Sequence, residues 1–294
     1  MIYYSLFRFF ETLFLALPNA FQKGLILALA KLAFLIDTKH KKIIQANLDL
    51  TIKDQITPET YQNVIKNCHK NLALVLLQVL RSSRLEASDL AKTITFKNRE
   101  IVDKAIAGGK PIIFISAHYG NWEIGATSLG ALITPTTSVH KKMNDGYFDE
   151  YLMKSRTKFN MTMVEKKGAI KHLVKALKNG NSISMLIDQN VNPKDSVYVN
   201  FLGAQATQTA APAFLARKFD ALIIPLFINI QPEEETIITF FEPIITPKTE
   251  DAKADVLTST QAQADVLAEV IKAHPEPWFW CHKRWKSAYE EIYK

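Results

Sequence analysis

His118 and Glu123 stand five positions apart in Lys110–Gly125, KPIIFISAHYGNWEIG. Histidine can take and return a proton near neutral pH, and a carboxylate within reach fixes its tautomer and stabilises the imidazolium. The pair suits transfer of a group to a hydroxyl. His118 would remove the proton of the attacking oxygen and Glu123 would hold one ring nitrogen, with no nucleophilic side chain required. The same spacing fits a strand-end histidine capping a carbonyl beside a solvated glutamate, and spacing alone leaves both open.

These residues need elements to place them. Pro111–Ser116 is a short apolar run bounded by Gly-Gly-Lys-Pro and a later glycine, the pattern of a buried strand. His118 then sits just past its carboxyl end, where open α/β sheets carry their ligand sites. Asn121 is an N-cap candidate, which puts Glu123 in the first turn of the next helix, where a carboxylate is favoured. Asp188-Gln189 forms a second polar pair leaving a buried strand, Ile183–Ile187. Further strands are expected at Ile94–Phe96, Thr136–Val139, Met161–Val164, Leu222–Ile228 and Thr236–Phe241. Helices are expected at Ile43–Leu50, Pro58–Arg84, Arg99–Ala107, Gly146–Phe159, Ala169–Lys178, Ala210–Phe219 and Ala254–Ala273. The alternation predicts an α/β fold: a mixed, mostly parallel sheet wrapped by helices, with an α-helical membrane-associated amino-terminal region. His69, within a helix whose apolar residues recur at core spacing, reads as structural.

The chain lacks a Gly-x-Ser-x-Gly elbow, a His-Glu-x-x-His, a Walker loop and a Gly-x-Gly-x-x-Gly. Serine-hydrolase, metal and nucleotide chemistries lose ground accordingly.

SAHYGNWEIG, and Gly120–Glu123 above all, closely resembles the His, four residues, Glu motif of the late lauroyl/myristoyl acyltransferases of lipid A biosynthesis, within the lysophospholipid acyltransferase-like superfamily. Arg156 falls in the second block of that family, Asp188-Gln189 in the third, and Phe201-Leu202-Gly203 with Thr207, Thr209 and Pro212 in the block after it. Pro275–Lys286, PEPWFWCHKRWK, resembles the carboxyl-terminal signature, and Asn47-Leu48 weakly resembles the amino-terminal region. Gln189 and Asn190 depart from the more acidic variant of the third block. The resemblance implies an acyltransferase with His118 as general base and Glu123 as its orienting partner. It implies Asn121, Arg156, Asp188 and Gln189 as substrate-binding residues, with Arg156 meeting a phosphate or carboxylate of the acceptor. It implies an acyl chain delivered by acyl carrier protein to a hydroxyl of a Kdo-modified lipid A precursor, with no metal, organic cofactor or nucleic acid. The place would be the cytoplasmic face of the inner membrane. Two alternatives stay beside it: a related transferase for another glycolipid or lysophospholipid, and a non-catalytic lipid-binding protein of the same fold. The second does not need an intact base.

Composition agrees without selecting. The 294 residues are 48% hydrophobic and 22% charged, enough to bury a core, and the net charge of +7 suits an anionic membrane, an acidic carrier or a phosphorylated substrate. On charge alone, nucleic acid also fits. Two distant cysteines, Cys68 and Cys281, read as free thiols in a reducing compartment. Met1–Ile36 is the most hydrophobic stretch, two aromatic-rich helices parted at Pro18-Asn19 and carrying only Arg8, Glu11, Lys23 and Lys31. Such helices read as an in-plane membrane anchor, with one span or a buried hairpin as alternatives. Lys39–Lys42 follow, placed to meet anionic headgroups. Residues 1–42 are thus expected to anchor and 43–294 to form the acyltransferase domain. Lys171, Lys175 and Lys178 line one side of Ala169–Lys178, as a solvated row or a dock for an acidic partner. Trp278, Trp280 and Trp285 among basic residues also fit a membrane-interface segment.

Overall fold

Alternating short apolar runs and amphipathic helices build a sheet covered on both faces, and the computed structural model describes this for residues 2–230 and 236–294. Met1, at the head of the expected anchor, lies outside the described residues. Helices α1 (Ile2–Ala16), α2 (Asn19–Ile36), α3 (Thr38–Leu50), α4 (Pro58–Arg81) and α5 (Ala87–Thr93) come first. The boundary expected at residue 42 falls inside α3. Asp37 and Thr57 cap α3 and α4 through their side chains.

The sheet strands are β1 (Ile94–Lys97), β2 (Ile112–Ser116), β3 (Thr136–His140), β4 (Met161–Glu165), β5 (Ser182–Leu186), β8 (Leu222–Ile230) and β9 (Thr236–Phe240). Between β5 and β8 lies a separate hairpin, β6 (Ser196–Phe201) and β7 (Ala204–Thr209). The helices interleaved with the strands are α6 (Arg99–Ala107), α7 (Trp122–Leu132), α8 (Gly146–Arg156), α9 (Ala169–Lys178), α10 (Ala211–Phe219) and α11 (Ala252–Ala273). Strand order is β1-β9-β8-β2-β5-β3-β4, parallel throughout except between β8 and β9. The expected mixed, mostly parallel sheet is present.

β2 lies in the middle of the sheet and all five of its residues are buried. Ile113 and Ile115 face one layer, with Leu173 of α9, Leu215 of α10 and Leu267 of α11. Phe114 faces the other, with Val102 of α6, Ile124 and Leu129 of α7, and Phe240. A strand buried on both faces reads as a continuous apolar run, which is why Pro111–Ser116 carries no alternation.

Several boundaries move for local reasons. The helix expected to reach Phe159 ends at Arg156, because Phe159 and Asn160 adopt left-handed backbone, φ 56° and 62°. α5 and the β6–β7 hairpin are additional elements. The hairpin turns at Leu202-Gly203, both at positive φ, as a two-residue primed turn requires.

α1 and α2 have inverted polarity. Glu11 is buried, bonded to Arg8 and to the Tyr151 hydroxyl, and Gln22 is buried against Arg81 of α4. Phe9, Phe10, Leu13, Phe21, Leu25, Leu29, Leu32 and Leu35 are exposed. α2 is long and apolar enough to cross a membrane by length and composition.

Candidate active site

The register of two strands builds the site. Ser116 pairs with Leu186, so the residues two positions further on, His118 and Asp188, leave neighbouring parallel strands at the same level. Imidazole Nδ1 of His118 lies 2.8 Å from Oδ1 of Asp188, and the His118 backbone N–H donates to Oδ2 at 2.9 Å. A carboxylate only accepts, so Nδ1 carries the proton and Nε2 presents its lone pair. The Gln189 amide donates to Nε2 at 3.3 Å.

Gly120 lets the loop turn here. Its φ is +58°, and a Cβ would fall on the carbonyl oxygen of Ile228. Asn121 then caps α7, its side chain accepting from the Ile124 N–H at 3.3 Å. Asn121 is buried in that role, and the cavity beside His118 is lined by other residues.

Glu123 does not hold the histidine, contrary to the sequence expectation. Its two oxygens take the guanidinium fork of Arg156, Nε at 2.8 Å and Nη2 at 2.5 Å. The first turn of α7 faces the end of α8, and bidentate geometry outcompetes a reach back across the loop. Arg156 therefore meets a carboxylate, as expected of its chemistry, but one belonging to this chain. Asp188, expected to touch substrate, is buried behind the histidine instead.

Burial disfavours charge on both members of the central pair. In Asp188, the charge of His118 and hydrogen bonds from its ring, its backbone and the Trp278 indole overcome burial and hold the pKa at about 2. In His118, burial acts downward, while Asp188 and then Glu123 act upward and Arg156 pulls back. The net direction is up from the ordinary histidine value.

His118 opens on a cavity of about 750 Å³. The wall beneath α7 is apolar, with Phe114, Leu129, Met161 and Ile228. Lys141, Lys166 and Arg156 also line the cavity and supply cations. Among the described residues, no group of three or more His, Cys, Asp or Glu stands ready to hold a metal. A proton acceptor on a cavity lined by apolar residues and by cations can activate a hydroxyl beside a bound fatty chain.

The sequence model of the bacterial lipid A biosynthesis acyltransferases matches residues 1–287. The chain belongs to that family. It is an acyltransferase of the lipid A biosynthesis class, as the resemblance of Gly120–Glu123 and Pro275–Lys286 implied. It is 24% identical to the lipid A biosynthesis lauroyltransferase of Escherichia coli K12 over 90% of this chain and 85% of that one. It is 18% identical to the palmitoleoyltransferase of the same organism, covering 85% and 79%. It is also 22% identical to a phosphatidylinositol mannoside acyltransferase of Mycobacterium tuberculosis, over 65% and 59%.

Sequence reasoning missed two contributors to this candidate site. The Trp278 indole donates to Asp188 Oδ2 at 2.9 Å. Asn47 of α3 donates to the Trp280 and His282 carbonyls, both at 2.8 Å. The three signature tryptophans are fully buried, which removes the membrane-interface reading of that segment.

Proposed function

We propose that this acyltransferase moves a fatty acyl chain from acyl carrier protein to a hydroxyl of a Kdo-modified lipid A precursor at the cytoplasmic face of the inner membrane. The observation that carries the reading is the 2.8 Å contact between His118 Nδ1 and Asp188, which leaves Nε2 facing the cavity. The acceptor hydroxyl displaces the Gln189 amide and gives its proton to Nε2. Its oxygen attacks the thioester carbonyl. The tetrahedral adduct expels the carrier thiolate, which takes the proton back from His118. Asp188 stabilises the imidazolium between these steps, and the apolar wall holds the chain. Glu123 and Arg156 act as a pair: Arg156 keeps the Glu123 charge in place beside His118 and restrains its upward pull on the ring.

Lys141 and Lys166 suit acceptor phosphates, and exposed Lys171, Lys175 and Lys178 on α9 suit an acidic carrier. The outward apolar faces of α1 and α2 suit anchorage of residues 1–42, with Lys39 and Lys42 against anionic lipid. A different glycolipid acceptor is the second reading, favoured by the likeness to the mannoside transferase.

Mass spectrometry of lipids from cells with and without the protein tests the acceptor. One added acyl ester on lipid A supports the first reading, an unchanged lipid A with an altered second glycolipid supports the other, and no change contradicts both. The base form of His118 is lost as pH falls through its raised pKa. The acid limb of kcat/KM is therefore expected above the ordinary histidine value of 6.5, and a limb below it contradicts the pairing with Asp188.

A further inference from the structure

We propose that residues 275–286 form a positioning strap for the His118–Asp188 pair, with the Trp278 indole N–H as the donor that orients the carboxylate. The inference rests on the acyl-transfer reading of that pair.

The strap holds both arms of the site. Trp278 pairs with Tyr119 in an antiparallel bridge, the Gly120 N–H donates to Pro277 O at 3.0 Å, and the Phe279 N–H donates to His118 O at 2.9 Å. On the other arm, Asp188 Oδ2 receives the Trp278 indole. Arg284, fully buried, donates to the Gln189 and Thr207 carbonyls and to the Gln208 side chain. His282 Nε2 accepts the Asn190 N–H at 2.9 Å. An acceptor nitrogen must be unprotonated, and burial first, with Arg284 and His118 also acting downward, lowers the His282 pKa to about 4. Three side chains of one segment thus fix three consecutive residues, Asp188, Gln189 and Asn190.

The Asp188 contact is the one that reaches the chemistry. Oδ1 is engaged by the imidazole, and Oδ2 by the His118 N–H and the indole. Without the indole the carboxylate keeps its charge, loses one of its three donors and gains freedom to rotate about its terminal torsion. The carboxylate then holds the histidine proton more strongly, and the ring titrates at higher pH. The other charged groups acting on the ring are Glu123 on α7 and Arg156 on α8, while the strap adds the neutral His282 and, beside Asp188, the Arg284 guanidinium. None of these changes in a Trp278 substitution.

The test is Trp278→Phe, which keeps an aromatic ring and removes the N–H. NMR titration of the His118 ring in the full chain is expected to move upward by up to about one pH unit, the equivalent of one charge-assisted hydrogen bond. In acyl transfer, kcat is expected to fall about tenfold to a hundredfold with KM for both substrates unchanged, as misplacement of a catalytic group does. In an Asp188→Asn background the same substitution should cost little more, because it acts through that carboxylate. Additive losses, or an unmoved titration, overturn the proposal. If Trp278→Phe fails to fold, 5-fluorotryptophan in a Trp122→Phe background, which takes the indole beside the His118 ring out of the comparison, keeps the shape of the remaining indoles and strengthens the N–H donor. The ring titration must then move downward, and a fixed one overturns the proposal equally. A wild-type protein that transfers no acyl group would sink the transferase reading, while the ring titration still decides the strap.

Discussion

The two aromatic-rich, basic stretches at opposite ends of the chain have opposite fates. In α1 and α2, Phe9 is 59% and Phe10 58% exposed, while Glu11 and Gln22 are buried against the body of the protein. In the strap, Trp280 and Trp285 are 0% exposed, and Arg284 is buried with them. Composition did not decide which way each segment turned; available partners did. Glu11 finds Arg8 and Tyr151, so this side of α1 turns inward with Phe7 and leaves Phe9 and Phe10 outside. The strap finds Asn47, Asp188 and the carbonyls beyond it, so most of its buried polar groups are hydrogen-bonded, with Arg284 Nε and Trp285 Nε1 left without a partner among the described residues.

Substitutions can break that contrast. Trp280→Ala should be the most damaging, since it empties a fully buried site and removes the bond from Nε1 to Pro275 O. About 3–5 kcal/mol is expected, read as a lower denaturant midpoint in detergent. Phe10→Ser should leave that midpoint almost unmoved, yet weaken sedimentation with liposomes by up to about 2 kcal/mol, the value of burying one such ring in the bilayer boundary. If Phe10→Ser destabilises the fold as much as Trp280→Ala, the outward face of α1 is core and the contrast is wrong.

A smaller effect is expected at Arg156, which lies in α8 behind α1. Arg156→Lys keeps the charge but cannot grip both Glu123 oxygens. About tenfold slower acyl transfer is expected, with Arg156→Ala worse and its acid limb displaced to higher pH, because Glu123 would then act on His118 unopposed. Activity equal to wild type in Arg156→Lys would mean that a point charge suffices there. Smallest are Lys39→Gln and Lys42→Gln, each expected to cost about 1 kcal/mol of binding to anionic vesicles and nothing on neutral ones. Equal losses on both vesicle types would remove the electrostatic role.

Much of the sheet was legible because its strands are short apolar runs between strong breakers. Each strand expected from Ile94 to Phe241 lies within a residue or two of its place, and α6 and α9 match at both ends. His118 and the Asn121 cap were legible for the same local reason: both are set by a strand ending and a helix beginning. The partner of His118 was not. Glu123 is close in sequence, whereas Asp188 becomes its neighbour only through the adjacency of β2 and β5, which no local pattern encodes. The signal that could have found it was the repeated design of a buried strand followed two residues later by an ionisable group. The roles of Asn47 and Trp278 were hidden in the same way, since each depends on a contact between residues far apart in the chain, Asn47 with Trp280 and His282 and Trp278 with Asp188.

The His118–Asp188 pair as the base of acyl transfer is tested most directly by comparing Asp188→Asn, Glu123→Gln and His118→Ala in one assay. Mass spectrometry would follow an acyl-carrier thioester and a lipid A precursor with purified, folded protein. His118→Ala should lose about 10²–10⁴-fold or more. Asp188→Asn should approach that loss, and Glu123→Gln should retain clearly more activity than either. Wild-type rates in Asp188→Asn, with Glu123→Gln inactive, would contradict the pairing and return Glu123 to the position at the histidine.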